Sequence, residues 1–343
     1  MQKTYHFSLK ILFSPNEKWQ FIETSFFVCY TKNGDYMQSL TSKAFMGILR
    51  LIFHSPLSDS SKLSDNAGKL TKNRKSKYKP SKCFIHTKHQ ADGVKYEKIV
   101  NSCCGTEKVI LMIHGGGFKV GLIDTYRRLA EKYNNLFDGA TVINVDYGTF
   151  PEFRLPSQMH DVVKVYLHLL NNGTKSSDIT VIGDSAGATL AMTSSLWLRD
   201  NGYPVPNHIV CFSLWADATS SGESRIKNTY TDPFYGISKR KKIEDNLHLL
   251  RRISKYVQDV DRTDPYISPL FGSFEGFPKV TLVCGTAELD ESDNDRVFAK
   301  LKAVGVDAGL YKFEGMCHCF QLFSFLPESK TAYELVKKRI TEG

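Results

Sequence analysis

Short apolar runs and longer amphipathic stretches alternate along the chain from about residue 105 onward. The apolar runs predict strands at residues 109–113, 141–145, 179–182, 209–214, 280–284 and 310–313. The amphipathic stretches predict helices at 126–136, 159–170, 188–198, 293–304 and 330–340. Strands that alternate with helices of this length form a mainly parallel central sheet with helices on both faces. Catalytic residues are then expected in the loops that follow the strands, since the carboxyl ends of parallel strands share one edge of the sheet.

Residues 1–100 do not show this alternation. They contain apolar runs at 11–13 and 26–30 and an amphipathic stretch at 45–53. We therefore expect an N-terminal cap or lid region over residues 1–100 and a catalytic domain over residues 101–343. A second irregular stretch at 217–262 interrupts the pattern after the fourth predicted strand and is further candidate cap material.

Basic residues cluster in two tracts of this chain, whose net charge is +9. The first tract comprises Lys69, Lys72, Arg74, Lys75, Lys77, Lys79 and Lys82, and the second comprises Lys239, Arg240, Lys241 and Lys242. Such clusters are typical of solvated loops, and attraction to an anionic membrane surface is the alternative. Neither tract is accompanied by a motif that reads DNA or RNA, so we expect no nucleic-acid partner.

The N-terminal residues and the cysteines bear on the compartment of the protein. Residues 1–30 lack the features of a signal peptide, and no window reaches the roughly 18 uninterrupted apolar residues of a membrane-spanning helix. The eight cysteines are scattered and form no dense disulfide framework. We therefore predict a cytoplasmic protein, with peripheral contact to an anionic membrane surface as the alternative that the basic tracts leave open.

A Gly-x-Ser-x-Gly motif lies between a predicted strand and a predicted helix. Its members are Gly183, Asp184, Ser185, Ala186 and Gly187. This setting is that of a nucleophile elbow, a tight turn that exposes a serine hydroxyl at the carboxyl end of a strand. Glycine is required on both sides because a side chain there would crowd the neighbouring strand and helix. The motif predicts Ser185 as a catalytic nucleophile, against the alternative of a glycine-rich turn with an incidental serine.

A second glycine-rich motif directly follows the predicted strand at 109–113. It reads His114, Gly115, Gly116, Gly117 and Phe118. Successive glycines let backbone N–H groups approach a ligand oxygen, as in the HGGG loops that help form the oxyanion hole of lipases and esterases. The expected donors are the amides of Gly116, Gly117 and Ala186, and His114 is expected to hold the loop by hydrogen bonding. A phosphate-binding loop is the rival reading, but neither a Walker Lys-Ser/Thr pair nor a GxGxxG pattern follows.

The general base and its acidic partner are expected later in the chain. His318 follows the last predicted strand, where the base of a Ser…Asp/Glu…His order belongs. Glu288 and Asp290 both follow the strand at 280–284, and either could orient His318 and stabilise its imidazolium form. Spacing alone leaves both acids open. Cys317 and Cys319 flank the base and lack the second cysteine pair of a zinc site, so we expect packing thiols and no metal.

Together these motifs resemble those of the hormone-sensitive-lipase-like family of α/β-hydrolases, which includes microbial carboxylesterases, arylacetamide deacetylases and yeast steryl deacetylases. HGGGF and GDSAG are its hallmarks, and similar segments stand at 146–156, 213–224 and 264–269. The resemblance implies an α/β-hydrolase fold with an N-terminal cap region that shapes the substrate site. It also places Asp290 in the slot of the catalytic acid, although the family's DPLRD motif reads DESDN here, at 290–294.

The motifs and the resemblance predict a serine carboxylic ester hydrolase, either an esterase or lipase or an acetyl-ester deacetylase, that acts on apolar esters through an acyl-enzyme on Ser185. Sterol acetates and acylglycerols are among the possible substrates. No metal or organic cofactor is expected. Acetyl or medium-chain esters are the expected substrates, and the sequence does not predict an oligomeric state. Two alternatives stay open at this point: an amidase that uses the same triad, and a non-catalytic small-molecule receptor on the same fold.

Overall fold

The computed structural model describes residues 36–54, 76–246 and 260–342. Within these ranges an eight-stranded sheet has the order β1-β2-β4-β3-β5-β6-β7-β8. The strands are Phe84–Ala91 (β1), Val94–Asn101 (β2), Val109–Ile113 (β3), Thr141–Asp146 (β4), Ile179–Asp184 (β5), His208–Phe212 (β6), Lys279–Gly285 (β7) and Ala308–Phe313 (β8). Strands β3 to β8 run parallel, and β1 and β2 join as antiparallel neighbours. The predicted mainly parallel sheet is confirmed.

Helices cover both faces of the sheet. In the described part of the chain they are Leu40–Phe53 (α1), Asp124–Leu136 (α2), Ser157–Asn171 (α3), Ala186–Asp200 (α4), Ser224–Lys227 (α5), Glu291–Ala303 (α6) and Pro327–Thr341 (α7). One apolar core lies between the sheet and α3, α4 and α6, and the other lies between the sheet and α1, α2 and α7.

Strand β3 shows why the central strands read as continuous apolar runs. All five of its residues are buried. Leu111 and Ile113 pack into one core, and Ile110 and Met112 pack into the other, because successive side chains of a strand point to opposite faces. A parallel strand that is covered on both faces therefore has apolar residues at every position.

The hairpin formed by β1 and β2 lies in the region where the sequence shows no strand pattern. Its two-residue turn, Asp92 and Gly93, has positive φ at both positions (44° and 84°), the geometry of a tight hairpin turn. Most side chains of β1 are exposed or only partly buried, because β1 is an edge strand, so the apolar alternation that would predict it is missing. The central sheet therefore begins at Phe84 and crosses the predicted boundary between residues 100 and 101.

Other parts of the N-terminal prediction fall partly outside the described residues. The amphipathic stretch at 45–53 lies in α1, whereas the apolar runs at 11–13 and 26–30 and the basic residues Lys69, Lys72, Arg74 and Lys75 lie outside the described ranges. Across residues 36–54, 76–246 and 260–342, no helix is both long and apolar enough to span a bilayer.

Candidate active site

Ser185 occupies a strained turn between β5 and α4. Its backbone has φ 53° and ψ −122°, a conformation that side-chain-bearing residues rarely adopt. Such strain costs about 1–3 kcal/mol and persists only where the surrounding structure enforces it. Here the Ser185 amide donates a hydrogen bond of 2.9 Å to the carbonyl of Phe212, at the end of β6. The turn places the serine at the carboxyl edge of the sheet.

The two glycines of the elbow are required by close backbone contacts. A Cβ atom on Gly183 would lie 2.3 Å from the carbonyl oxygen of Gly187, and one on Gly187 would lie 2.1 Å from the carbonyl oxygen of Ile113. Any side chain at these positions would therefore push α4 away from β3 and β5. The two glycines of the motif are therefore required by the close packing around the turn that holds Ser185.

Asp184 joins the elbow to the HGGG loop. Its carboxylate accepts hydrogen bonds from the Tyr126 hydroxyl (2.8 Å) and the Gly115 amide (3.2 Å), and the Cys319 thiol lies 3.5 Å away. A Cβ atom on Gly115 would lie 2.4 Å from this carboxylate. Burial raises the pKa of Asp184 to about 6, against the opposing effect of these hydrogen bonds. Asp184 thus ties together the elbow, the HGGG loop and the loop that contains His318.

His318 meets Ser185 from the loop that follows β8. Its Nε2 lies 2.8 Å from Oγ of Ser185, and both side chains are buried. With a proton on Nδ1, the imidazole leaves Nε2 to accept the serine hydroxyl proton. The ring of Tyr235 contacts the imidazole edge to face, with 4.7 Å between ring centroids. This arrangement of base and hydroxyl is the one that serine nucleophiles require.

Two carboxylates lie near Nδ1 of His318, and they differ in their partners. Oε2 of Glu288 is hydrogen-bonded to Nδ1 at 3.1 Å, whereas Oδ2 of Asp290 lies 3.5 Å from it. Oδ1 of Asp290 forms a buried ion pair with Arg225 of α5. The resemblance places Asp290 in the acid slot. In the structure Glu288 makes the hydrogen bond instead, because Asp290 is turned toward Arg225.

The surroundings of Glu288 hold it in place. Its carboxylate is fully buried and accepts hydrogen bonds from the Gly285 amide (2.5 Å) and the Ser213 hydroxyl (2.9 Å). The same hydroxyl oxygen accepts a hydrogen bond from the Cys319 amide (2.8 Å), next to the base. Burial raises the pKa of Glu288, while the hydrogen bond and charge of His318 oppose the rise. Ser213 thus links the loop after β7, which contains Glu288, to the loop after β8, which contains His318.

Three residues around the site, Ser213, Tyr235 and Arg225, have no role that the motifs of the sequence predict. Two signals point to Ser213: it begins the family-like segment at 213–224, and it directly follows β6, at the same sheet edge as the triad candidates. Its φ of 52° marks another strained turn at that edge. Tyr235 and Arg225 lie in the irregular stretch after β6, where the apolar residues show no helix or strand periodicity and so do not predict which side chains face the site.

The HGGG loop has the backbone conformation that its glycines allow. Gly116 and Gly117 have φ of 113° and 58°, in the region that favours glycine. The carbonyl of Gly116 accepts hydrogen bonds from the amides of Lys119 and Val120, both at 3.1 Å. Ala186 is the first residue of α4, and the first N–H groups of a helix have no intrahelical acceptor. The dipole of α4 also favours negative charge at this end.

His114 packs inside the loop rather than against the nucleophile. Its ring stacks on Tyr147 at a centroid distance of 4.2 Å, and Nδ1 lies 2.9 Å from the Gly115 carbonyl oxygen. The Tyr147 hydroxyl donates to the His114 carbonyl at 2.8 Å. Burial lowers the pKa of His114 to about 4, so the ring is neutral at pH 7. These contacts fix the loop conformation.

Acidic, histidine and cysteine side chains do not assemble into a metal-binding group anywhere in ranges 36–54, 76–246 and 260–342. The described cysteines, including Cys317 and Cys319 beside the base, are free thiols.

Comparisons with known proteins identify the family and the activity of the chain. The family model for the α/β hydrolase fold matches residues 110–322. An esterase of Acinetobacter venetianus is 32% identical over 242 residues, which cover 70% of this chain and 76% of the relative. An acetyl-hydrolase of Streptomyces hygroscopicus is 29% identical over 229 residues, 66% of this chain and 73% of the relative. The crystal structure of an esterase from the bacterial hormone-sensitive lipase family superposes with a TM-score of 0.74 at 26% identity, covering 89% of this chain and 98% of that one.

The fold and the site define a serine hydrolase of the α/β-hydrolase class. The chain belongs to the hormone-sensitive-lipase-like family of α/β-hydrolases. It is a carboxylic ester hydrolase, and the relatives named above favour this activity over the amidase and receptor alternatives.

Proposed function

We propose that Ser185, His318 and Glu288 form the catalytic triad of this ester hydrolase. The observation that supports it most directly is the 2.8 Å contact between His318 Nε2 and Ser185 Oγ, continued through Nδ1 to Glu288 at 3.1 Å. Glu288 holds the imidazole in the tautomer that accepts the serine proton, and it stabilises the imidazolium that forms. Asp290 is the weaker candidate, since Arg225 already neutralises its charge.

The reaction proceeds by two acyl transfers. Ser185 attacks the ester carbonyl as His318 takes its proton, and the amides of Gly116, Gly117 and Ala186 donate to the oxyanion. Collapse of this intermediate breaks the bond to the alcohol, which leaves with the proton from His318. Water then attacks the acyl-enzyme as His318 takes its proton, and the bond from the acyl carbon to Ser185 Oγ breaks as His318 returns that proton to the serine, which releases the acid. The chain supplies every proton transfer, so no cofactor enters these steps.

We propose short-chain esters of apolar alcohols, acetyl esters among them, as the substrates. Phe118, which follows the HGGG glycines, is buried edge to face against Trp215 at a centroid distance of 5.8 Å. Because Phe118 directly follows the oxyanion-hole glycines, we infer that this ring pair borders the acyl group and favours a small one. The name of the Streptomyces hygroscopicus relative, an acetyl-hydrolase, supports the same class.

We propose that the cap over the site is formed by α1 together with the stretch after β6. Phe53 of α1 contacts Phe234 at 5.1 Å between ring centroids, and the adjacent Tyr235 contacts His318. The stretch after β6 therefore contacts the catalytic base directly, and α1 packs against that stretch. The cap proposed from the sequence is redrawn accordingly, with the hairpin at 84–101 assigned to the catalytic domain.

The test is hydrolysis of p-nitrophenyl esters from acetate to palmitate by the wild type and by Ser185→Ala. We expect the highest kcat/KM at acetate to butyrate and a loss of at least about 10³-fold in the variant. Thr193→Ala is a matched control, since Thr193 is another buried hydroxyl of the same segment, within α4. Full activity of a folded Ser185→Ala protein would overturn the proposed nucleophile, and an optimum at palmitate would overturn the proposed acyl pocket.

A further inference from the structure

Helix α1 exposes an apolar stripe to solvent. Ser42, Met46 and Leu49 face the protein and are buried. On the other side Leu40 and Leu51 are 83% and 77% exposed, and Ile48 and Ile52 are more than half exposed. At 3.6 residues per turn these four side chains share an arc of about 120°. A single exposed leucine is ordinary, but four large aliphatic residues on one helical face need an explanation.

The stripe continues onto the neighbouring loop. Phe325 is 57% exposed, and its ring meets that of Phe45 in α1 edge to face at 5.1 Å. We call Leu40, Ile48, Leu51, Ile52 and Phe325 the apolar patch. The patch therefore consists of one face of α1 and the aromatic ring of Phe325 beside it.

Basic residues flank this patch. Lys43 is exposed on α1, and Nε of Arg50 donates to the carbonyl of Thr231 at 2.9 Å. Next to Thr231, the hydroxyl of Tyr230 donates to the carbonyl of Lys241 at 3.1 Å, which brings the second basic tract beside α1. We call these residues the basic flank: Lys43, Arg50, Lys239, Arg240, Lys241 and Lys242. The two acidic residues that follow the tract, Glu244 and Asp245, offset only part of this positive charge.

The patch lies above an aromatic layer that leads to the catalytic base. Phe45 contacts Phe323 at 4.9 Å, and Phe53 contacts Phe234 at 5.1 Å. Phe234 and Phe323 stack at 6.3 Å between centroids. Tyr235, next in the chain, is the residue that contacts His318. The patch is therefore joined to the catalytic base through a series of packed aromatic rings.

We propose that this face binds an anionic lipid bilayer, with the apolar patch inserted at the interface and the basic flank against the headgroups. An amphipathic helix with large aliphatic residues on one side and Lys and Arg beside them is suited to that position. A second copy of the chain fits less well, because the two basic flanks would repel each other. The inference rests on the proposed function, because binding to the bilayer brings the enzyme to short-acyl esters of lipophilic alcohols, which partition into the membrane.

The experiment measures co-sedimentation of the Ser185→Ala protein with two kinds of vesicle. One is pure phosphatidylcholine, and the other also contains about 30 mol% phosphatidylserine, which gives the bilayer an anionic surface. We expect binding to the anionic vesicles at least about tenfold stronger than to the neutral ones, and weakened by salt. The pair Leu51→Gln and Ile52→Gln, and separately the pair Lys239→Gln and Lys241→Gln, should each weaken it about tenfold or more.

The matched control changes one aliphatic and one basic residue at the opposite edge of the sheet. Ile85 and Lys88 of β1 are 48% and 72% exposed, respectively, and Ile85→Gln with Lys88→Gln should leave vesicle binding unchanged. Equal loss in control and patch variants, or no binding to anionic vesicles, would overturn the inference. A smaller mass of the patch variant in light scattering would assign the face to a second copy instead.

Failure of this inference is separable from failure of the proposed function. The patch variants on the active Ser185 background should hydrolyse soluble p-nitrophenyl acetate at the wild-type rate. Leu51, Ile52, Lys239 and Lys241 are all exposed on the outer surface, whereas the contacts from these segments toward the base are made by Phe53, Phe234 and Tyr235, which stay unchanged. Vesicle binding is measured on the inactive protein, so it does not depend on turnover.

Discussion

Glu288 and His318 are joined by a 3.1 Å hydrogen bond, while the neighbouring carboxylate of Asp290 is paired with Arg225. The two acids stand two residues apart in one loop, and both lie near the same imidazole nitrogen. Their partners separate their roles: one carboxylate faces the base, and the other faces a buried guanidinium. The first two predictions test the proposal that Glu288 orients the base and that Asp290 is a structural partner of Arg225.

Glu288→Gln should lower kcat by about 10³–10⁴-fold, because the amide cannot stabilise the imidazolium and favours the wrong tautomer. Asp290→Asn should lower kcat by less than about tenfold, since the hydrogen bond from His318 to Glu288 remains. Steady-state kinetics on p-nitrophenyl acetate, with thermal unfolding as a check on folding, measures both. The reverse order of losses would make Asp290 the triad acid.

Arg225→Met should destabilise the fold by about 3–5 kcal/mol, because it leaves buried carboxylates without their counter-charge. Arg225 neutralises Asp290 and lies 3.8 Å from Asp293, whose pKa burial already raises to about 7. Urea unfolding gives the change in the free energy of unfolding. Arg296→Met is the control, since Arg296 is a more exposed partner of Asp217, and it should cost less. Equal losses would remove the special role given to Arg225.

The pH dependence of kcat/KM should follow the protonation of His318. Burial lowers the pKa of His318, but the hydrogen bond and charge of Glu288 and the charges of Asp290 and Asp232 outweigh it and raise that pKa. Only the neutral imidazole accepts the serine proton, so kcat/KM should rise with pH through a pKa above the ordinary 6.5. In Glu288→Gln the residual activity should titrate at lower pH. An unchanged midpoint in that variant would contradict the pairing.

Gly187→Ala should abolish measurable hydrolysis and destabilise the fold by about 1–3 kcal/mol, as an overpacked core does. The added Cβ would lie 2.1 Å from the carbonyl oxygen of Ile113, which forces α4 and the nucleophile away from β3. Gly105→Ala is the matched control, since its Cβ would meet no atom within 4 Å. Activity and thermal unfolding of both variants test the point, and an active Gly187→Ala enzyme would show that the elbow tolerates a shift.

The fold was predictable where packing dictates the residue pattern. Strand β3 is apolar throughout because both of its faces are covered, whereas β1 is an exposed edge strand and carries no such signal. The elbow was equally predictable, since Gly183 and Gly187 are fixed by local backbone contacts.

The choice of Glu288 over Asp290 as the proposed triad acid was not predictable in the same way. Glu288 and Asp290 are both carboxylates after the same strand, and what distinguishes them is Arg225, which lies 65 residues from Asp290 in the chain. The aromatic layer under α1 likewise joins residues far apart in sequence, Phe45 and Phe323 among them. Contacts of this kind depend on how the irregular stretch after β6 folds, and periodicity does not determine that.

The most direct test of the account is the site of covalent labelling by diethyl p-nitrophenyl phosphate, an ester analogue that traps activated serines. Intact-mass spectrometry and peptide mapping should show one diethylphosphoryl group on Ser185 of the wild type, none on Ser185→Ala, and labelling slowed by at least about 10³-fold in His318→Asn. Labelling of another residue, or unchanged labelling without His318, would contradict the proposed nucleophile and base.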